Sequence, residues 1–204
     1  MSRVTGTALF LGPADHGRAL SRAQYERASY APGHDCELVA GRLYVSLKPN
    51  FRHARVGGYL NALLNAYSQG HSGALNFVTS GARLITNALG GETDPEPDVA
   101  GYRGLELDPD RLSWEGIYPV LVVEVVSLTD PAKDFERNRQ LYWEVPSIEE
   151  YWIVDPRELP PTLLALVRGP EGWIEHPVEA GGHYASSCFP GLELDLAEIF
   201  GSGS

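Results

Sequence analysis

The chain has 204 residues, 43% of them hydrophobic, and a formal net charge of −11. That length and apolar content predict a single globular domain over residues 1–200. The sequence has no apolar run of membrane-spanning length and no convincing signal peptide, so we expect a cytoplasmic protein with no membrane partner. The acidic balance argues against a broad nucleic-acid-binding surface, which requires a basic face, and allows only a local one.

The first half of the chain predicts a short helix, a strand pair and a long amphipathic helix, at residues 21–29, 36–47 and 51–69. Asn50 is placed to cap the long helix. The apolar positions of this helix recur at helical spacing and are Val56, Leu60, Leu63, Leu64 and Tyr67. His53 falls on the same stripe and should face the sheet. Gly57 and Gly58 each cost a helix about 1 kcal/mol relative to alanine, which predicts close packing against a neighbour.

The second half predicts strands at residues 75–86, 96–102, 120–127 and 149–156, a hairpin at 162–178 with its turn at 169–172, and a last strand near 189–194. Between the third and fourth of these strands, Asp130 and Pro131 predict the start of a helix that runs to Val145. Asp134 and Asn138 are polar residues on the inward stripe of this helix. Leu141 and Val145 complete the same stripe, so the inward face of this helix is predicted to combine apolar and polar residues.

Two features of the sequence carry no functional signal. Cys36 and Cys188 lie far apart without a CxxC partner, so we expect small core residues rather than a zinc site or a disulfide. Residues 201–204 (GSGS) are typical of a linker or cloning remnant and are left out of the predicted fold.

An acidic residue stands in each of two strand-like segments, Asp98 in EPDVAGY and Glu124 in VLVVEVVS. A carboxylate inside a buried strand costs several kcal/mol unless a cation, a proton or hydrogen-bond donors satisfy it. Two such carboxylates on successive strands suggest a shared Mg²⁺, which takes oxygen ligands from one or two carboxylates and keeps water positions open. The alternative is that Glu124 ends a strand or pairs with an arginine.

Several segments, taken in order, resemble the core of the PD-(D/E)XK nuclease superfamily: CELVAGRLYVSL, RHARVGGYLNALL, EPDV, PVLVVEVVS and DFERNRQLYWEVPSIEEYWIVDP. Within that superfamily the chain is most similar to the Uma-type family described as "putative restriction endonucleases". The resemblance covers about residues 23–156. It implies an α/β, restriction endonuclease-like fold, a mixed sheet flanked by helices, to which we add N-terminal and C-terminal β-hairpins.

The resemblance also implies site residues. It makes Asp98 and Glu124 the acids that bind Mg²⁺ (or Mn²⁺), with the backbone carbonyl of Val125 as a further ligand. Glu37 matches an acid beside the site, and His53 matches a histidine at the start of the long helix. These two residues would act as an auxiliary base or support the metal ligands.

The chain departs from the superfamily at the catalytic lysine. The position two residues after the second acid is Val126, and at the position on the next helix to which the Uma-type family moves its lysine the chain has Asn138. Asparagine donates hydrogen bonds without the charge that stabilises a phosphoryl transition state. Arg137, Arg139 or Lys133 could supply that charge, and we take Asn138 and Arg139 as candidate catalytic residues.

Three functions follow from these residues. The first is a metal-dependent endonuclease that hydrolyses DNA, which it would contact only locally. The second is a catalytically inactive binding or interaction module on the nuclease fold, favoured by Asn138 and by the acidic charge. The third is a hydrolase, such as a glycosidase, in which the carboxylate pair acts without metal. The sequence leaves open whether the chain forms a homodimer.

Overall fold

The computed structural model describes residues 9–108, 110–157 and 159–199. In chain order its strands are β1 (Phe10–Leu11), β2 (Ser29–Tyr30), β3 (His34–Val39), β4 (Arg42–Leu47), β5 (Phe77–Thr79), β6 (Val99–Tyr102), β7 (Leu121–Val125), β8 (Glu150–Asp155), β9 (Thr162–Arg168), β10 (Trp173–Val178), β11 (His183–Ala185) and β12 (Glu193–Asp195). The α-helices are α1 (Arg22–Arg27), α2 (Phe51–Gly70) and α3 (Asn138–Trp143). A π-helical turn, Lys133–Arg137, leads directly into α3.

Six strands form the central sheet in the order β5-β6-β7-β8-β9-β10. Strands β7 and β8 are parallel, and the other neighbours in this sheet are antiparallel. Parallel neighbours require a crossover connection. Here the crossover spans residues 126–149 and carries the π-helical turn and α3. The crossover that follows β7 therefore carries the buried polar residues Asp134 and Asn138.

Helices cover both faces of the sheet. On one face, α2 buries Val56, Leu60, Leu64 and Tyr67 in one core cluster with Val123 and Val125 of β7. On the other face, α3 buries Leu141 and Tyr142 with Val122 and Val126. Successive side chains of a strand point to opposite faces, so β7 is buried on both sides. The predicted mixed α/β sheet flanked by helices is confirmed.

The hairpins differ in their relation to this sheet. Strands β3 and β4 form a separate antiparallel pair near the N-terminus. The hairpin predicted at 162–178 corresponds to β9 and β10 and extends the central sheet rather than lying outside it. The addition at the C-terminal side is instead the antiparallel pair of β11 and β12.

Helix α2 begins as predicted, because the Asn50 side chain accepts a hydrogen bond from the His53 backbone N–H at 3.0 Å. The strand predicted at 75–86 is wrong beyond Thr79, where β5 ends. Its second half turns out of the sheet because Arg83 donates to Asp94 at 2.9 Å, and Thr86 instead bridges Thr93.

The crossover helix is also shorter than predicted. No side chain caps its first turn, so Asp130 does not act as its N-cap, and α3 ends at Trp143 rather than Val145.

Cys36 and Cys188 are half-buried at the margins of core clusters rather than inside them. No helix in the described ranges is long and apolar enough to cross a membrane. Residues 201–204 lie outside the described residues.

Candidate active site

Asp98 and Val125 join two strands at one end of the central sheet. The register pairs Val99 of β6 with Val123 of β7, which puts Asp98 opposite the end of β7. The Val125 backbone N–H donates to Asp98 Oδ2 at 2.7 Å. Two of the predicted metal-binding positions therefore lie side by side.

Glu124 lies inside the protein, with 1% of its surface exposed. Its Oε1 accepts hydrogen bonds from Tyr142 Oη at 2.6 Å and from Asn138 Nδ2 at 3.1 Å. Burial raises its pKa well above the usual range, and the nearby Asp134 carboxyl raises the pKa further, against the opposing charge of Lys133. Without an added cation, the site favours a protonated Glu124.

His53 reaches the same carboxylate as Val125. It lies in the first turn of α2, and its Nε2 is 3.3 Å from Asp98 Oδ2. Burial alone would lower the His53 pKa, but the Asp98 carboxylate and the backbone of Val125 outweigh burial and raise the pKa. The N-terminal end of α2 thus holds a ring that favours the charged form against Asp98.

Glu37 extends from β3 toward the crossover. Its Oε2 accepts from Arg137 Nη2 at 2.9 Å, and its Oε1 accepts from the Glu96 N–H at 3.4 Å. Burial would raise the Glu37 pKa, but the charges of Lys133 and Arg137 prevail and lower it. Glu37 therefore links the N-terminal hairpin to the π-helical turn as a charged carboxylate.

Asn138 is completely buried and uses its whole side chain within the protein. Its Nδ2 donates to Glu124 and, at 3.0 Å, to Asp134 Oδ1. Its Oδ1 accepts from Arg137 Nε at 3.0 Å. The amide is therefore a structural connector among charged groups.

One carboxyl oxygen of Asp134 is buried without a hydrogen-bond partner among the described residues. The side chain is fully buried, and its Oδ2 finds no hydrogen-bond partner in the described part of the chain. Burial raises the Asp134 pKa to about 7. Buried carboxylate oxygens are rarely left unsatisfied, so the atom marks a place where a proton or a cation belongs.

Lys133 lies at the boundary between this cluster and solvent, with 21% of its side chain exposed. Its Nζ is 3.9 Å from Asp134 Oδ1. Burial would lower the Lys133 pKa, but the carboxylates of Glu37 and Glu124, followed by those of Asp134 and Asp98, raise it strongly. Lys133 therefore stays charged at neutral pH.

The structure does not bring Arg139 to this cluster. Its Nη2 donates to Glu175 Oε1 of β10 at 2.6 Å, and its carbonyl accepts from Trp173 Nε1. The sequence could not fix this orientation, because it depends on the long-range ion pair of Arg139 with Glu175. Lys133, one of two lysines in the chain, is the cation that our choice of catalytic residues omitted.

A groove of about 1170 Å³ opens onto the cluster. The titratable side chains that line it are Glu37, His53, Asp98, Lys133 and Arg137, and α2 contributes Ala54, Gly57, Gly58 and Asn61 to one wall. A Cβ added to Gly57 or Gly58 would meet no heavy atom within 4 Å. Our prediction of close packing at these glycines is wrong, because they face open space.

The donor set fits a hard divalent cation. Asp98, Glu124 and the Val125 carbonyl offer the oxygen ligands that Mg²⁺ takes alongside water. Asp98 Oδ1 and Glu124 Oε2 accept no hydrogen bond from the described residues, so each carboxylate keeps one oxygen for a ligand. Within the same ranges, no group of three or more His, Cys, Asp or Glu side chains is arranged to hold a metal ion.

A protein-family model described as "Uma2: Putative restriction endonuclease" matches residues 22–197. The chain belongs to the Uma2 family. A search of curated proteins found no match to this Uma2 member. Among solved structures, it is similar to the crystal structure of "a putative nuclease belonging to DUF820" from Anabaena variabilis, with a TM-score of 0.63 and 14% sequence identity. That alignment covers 87% of this chain and 96% of the other, and at this identity it shows a shared fold.

Proposed function

We propose that this Uma2 protein is a metal-dependent endonuclease that hydrolyses DNA phosphodiester bonds. The observation that carries the proposal is a cluster of carboxyl groups beside the groove, two of which, those of Glu124 and Asp134, have a raised pKa because they are buried. Four carboxyl groups, those of Glu37, Asp98, Glu124 and Asp134, surround the ammonium of Lys133. Within this cluster Arg137 adds the second permanent positive charge.

One divalent cation would stabilise the charged forms of Glu124 and Asp134, which burial disfavours. Buried carboxylates that lack a counter-charge cost several kcal/mol, so binding of Mg²⁺ or Mn²⁺ by Asp98, Glu124 and the Val125 carbonyl would relieve that cost. When bound, the metal would activate a water molecule and polarise the scissile phosphate. The unsatisfied Oδ2 of Asp134 supports the same conclusion, since a buried carboxyl oxygen without a partner marks a place for a proton or a cation.

The remaining groups position these ligands. His53 and the Val125 N–H hold Asp98, while Asn138 and Tyr142 hold Glu124. Partners of this kind fix the orientation of metal ligands. Glu37 is neutralised by Arg137, so its role here is to hold the arginine rather than to accept a proton from water.

DNA is the substrate that the family description favours, and the charge of −11 requires that contact be local. The groove offers a local contact surface for DNA. Its wall on α2 has no side chains at Gly57 and Gly58, and the cations Lys133 and Arg137 also line it. A phosphate could therefore approach the carboxylates without crossing the acidic surface of the protein.

The test combines calorimetric titration with Mg²⁺ or Mn²⁺ and cleavage of plasmid DNA with and without a chelator. Asp98→Ala should abolish stabilisation of the fold by the metal while the metal-free protein stays folded. Glu175→Gln, an exposed acid on β10, is the matched control and should bind metal normally. Thermal stabilisation by Mg²⁺ that survives Asp98→Ala undiminished would contradict the proposal.

Asn138 supports a second candidate, a catalytically inactive nuclease fold that binds a partner. All three of its side-chain hydrogen bonds are internal, so it cannot contact a substrate. This candidate predicts DNA binding in the groove with no cleavage in Mg²⁺ or Mn²⁺. The two candidates separate on a single plasmid-nicking measurement.

A further inference from the structure

We propose that Lys133 supplies the catalytic ammonium. The chain has no lysine at Val126 or Asn138, the two positions where the resemblance places one. The inference rests on the proposed nuclease function. It assigns the ammonium to a different part of the crossover, the π-helical turn Lys133–Arg137, instead of to α3.

Asn138 is excluded from the role by its hydrogen bonds. Both of its donor contacts go to carboxylates and its acceptor contact comes from Arg137. An amide with these bonds and no exposed surface has no donor to offer to water or phosphate.

The arginines of the same segment are also committed. Arg137 donates to Glu37 and to Asn138, and its guanidinium lies 4.7 Å from the Tyr44 ring centroid. Arg139 pairs with Glu175 on β10. Freeing either guanidinium would break charged hydrogen bonds, which are among the strongest in proteins.

Lys133 has the opposite properties. Lys133 lines the groove, and its Nζ lies 3.9 Å from Asp134 Oδ1, beyond hydrogen-bond distance. Four carboxyl groups attract it, and it makes no hydrogen bond to the described residues, so its donors stay available. A compact ammonium with three donors is suited to orienting a water molecule, whereas a guanidinium is better suited to clamping phosphate.

The residue choice is itself unusual for this chain. It contains 14 arginines but two lysines, Lys133 and Lys48. Lys48 is 61% exposed and pairs with Asp35 at the end of β4. Lys133 is the lysine that lies among the buried acids.

In the hydrolysis, the oxygen of water forms a bond to phosphorus and the bond from phosphorus to the sugar oxygen breaks. The attacking water releases one proton to the surrounding solvent, and the departing sugar oxygen takes up one proton from solvent. Lys133 stays protonated throughout. It donates hydrogen bonds to the attacking water and to a phosphoryl oxygen, where negative charge grows in the transition state.

A first experiment uses the two lysines as spectroscopic probes. Protein labelled with ¹³C at lysine Cε should give two signals, assigned with Lys48→Arg. Addition of Mn²⁺ should broaden the Lys133 signal strongly and leave the Lys48 signal sharp, because paramagnetic broadening falls steeply with distance. Equal broadening of both signals, or of neither, would overturn the placement of Lys133 beside the metal.

A second experiment measures cleavage kinetics and Mn²⁺ affinity together. Lys133→Met should lower kcat by about 100- to 1,000-fold with KM for DNA little changed, the loss expected for one transition-state charge contact. The same variant should bind Mn²⁺ about tenfold more tightly, since a competing positive charge has been removed. A lysine with a merely structural role would lose melting temperature and metal affinity together.

Relocation of the charge gives the decisive comparison. Asn138→Lys should restore part of the rate to Lys133→Met, and Arg27→Met, which removes an exposed charge at the end of α1, should leave the rate unchanged. Normal cleavage by Lys133→Met would overturn this inference while leaving the nuclease function intact. No cleavage by the unmodified protein would overturn both.

Discussion

His53 Nε2 lies 3.3 Å from Asp98 Oδ2, and the same oxygen accepts the Val125 N–H. One carboxylate oxygen thus joins the start of α2, the residue before β6 and the end of β7. Because α2 packs across the sheet through Val56 and Leu60, the position of this oxygen depends on the packing of the whole helix. The other oxygen of Asp98 accepts no hydrogen bond from the described residues.

Replacement of His53 should therefore weaken metal binding without unfolding the protein. We expect His53→Gln to reduce Mn²⁺ affinity by about 10- to 100-fold, the usual cost of losing a group that orients a metal ligand. Calorimetry measures this change, and His183→Gln is the control because His183 is 75% exposed on β11. Unchanged affinity in His53→Gln would show that Asp98 is oriented by Val125 alone.

Two substitutions of Gly57 should affect the stability of the fold and the binding of DNA differently. Gly57→Ala should stabilise α2 by up to about 1 kcal/mol, because alanine is the better helix former and the added Cβ meets open space. Gly57→Trp should leave the fold stable but fill the groove and raise KM for DNA. The control is Gly70→Trp at the far end of α2, where a Cβ also meets nothing within 4 Å. Equal KM values for the two tryptophan variants would show that DNA does not use this wall.

Glu150 should be a strong determinant of stability. It is fully buried, and its two oxygens accept hydrogen bonds from Trp152 Nε1 (2.7 Å), Tyr184 Oη (3.1 Å), Ser186 Oγ (2.6 Å) and the Cys188 N–H (3.1 Å). In Glu150→Gln, the amide nitrogen must face an N–H that can only donate in either orientation, that of Cys188 or that of Trp152. We expect a loss of about 2 to 4 kcal/mol in the free energy of unfolding, measured with urea.

The neighbouring residue gives a matched control for that measurement. Glu149 pairs with Arg103 near the surface, and Glu149→Gln should cost no more than about 1 kcal/mol. Similar losses in the two variants would mean that the four donors to Glu150 find other partners.

The two cysteines should react slowly at neutral pH. Burial raises the pKa of Cys36 and of Cys188 to about 11. The thiolate is the reactive form, so at pH 8 alkylation should be about two orders of magnitude slower than in the urea-unfolded chain, where the pKa is about 8.5. The rate should rise about tenfold per pH unit up to pH 10. A plateau below pH 9 would contradict these pKa values.

The sequence predicts most of the elements that depend on periodicity. The spacing of Val56, Leu60 and Leu64 locates α2, and the apolar run around Glu124 locates a strand buried on both faces. These patterns succeed because burial on a helix or a strand imposes a fixed repeat. The capping role of Asn50 is also predictable from the sequence, because its side chain accepts a hydrogen bond from the first turn of the helix that it caps.

Long-range contacts decide the features that the sequence misses. Arg83 leaves the predicted strand to reach Asp94, and no local pattern encodes that ion pair. The choice between Lys133 and Arg139 likewise could not be made from spacing, because it depends on the ion pair of Arg139 with Glu175 on β10. Gly57 shows the same limit, since glycine is equally compatible with a close neighbour and with an open groove.

The connection between β6 and β7 has a practical consequence for engineering. Its described residues are largely exposed, and it divides the candidate site into two sets. His53 and Asp98 precede it, while Glu124 and Lys133 follow it. A chain cut in this loop would give two fragments that each lack half of the site, so any nuclease activity would report their reassembly, as in a split reporter.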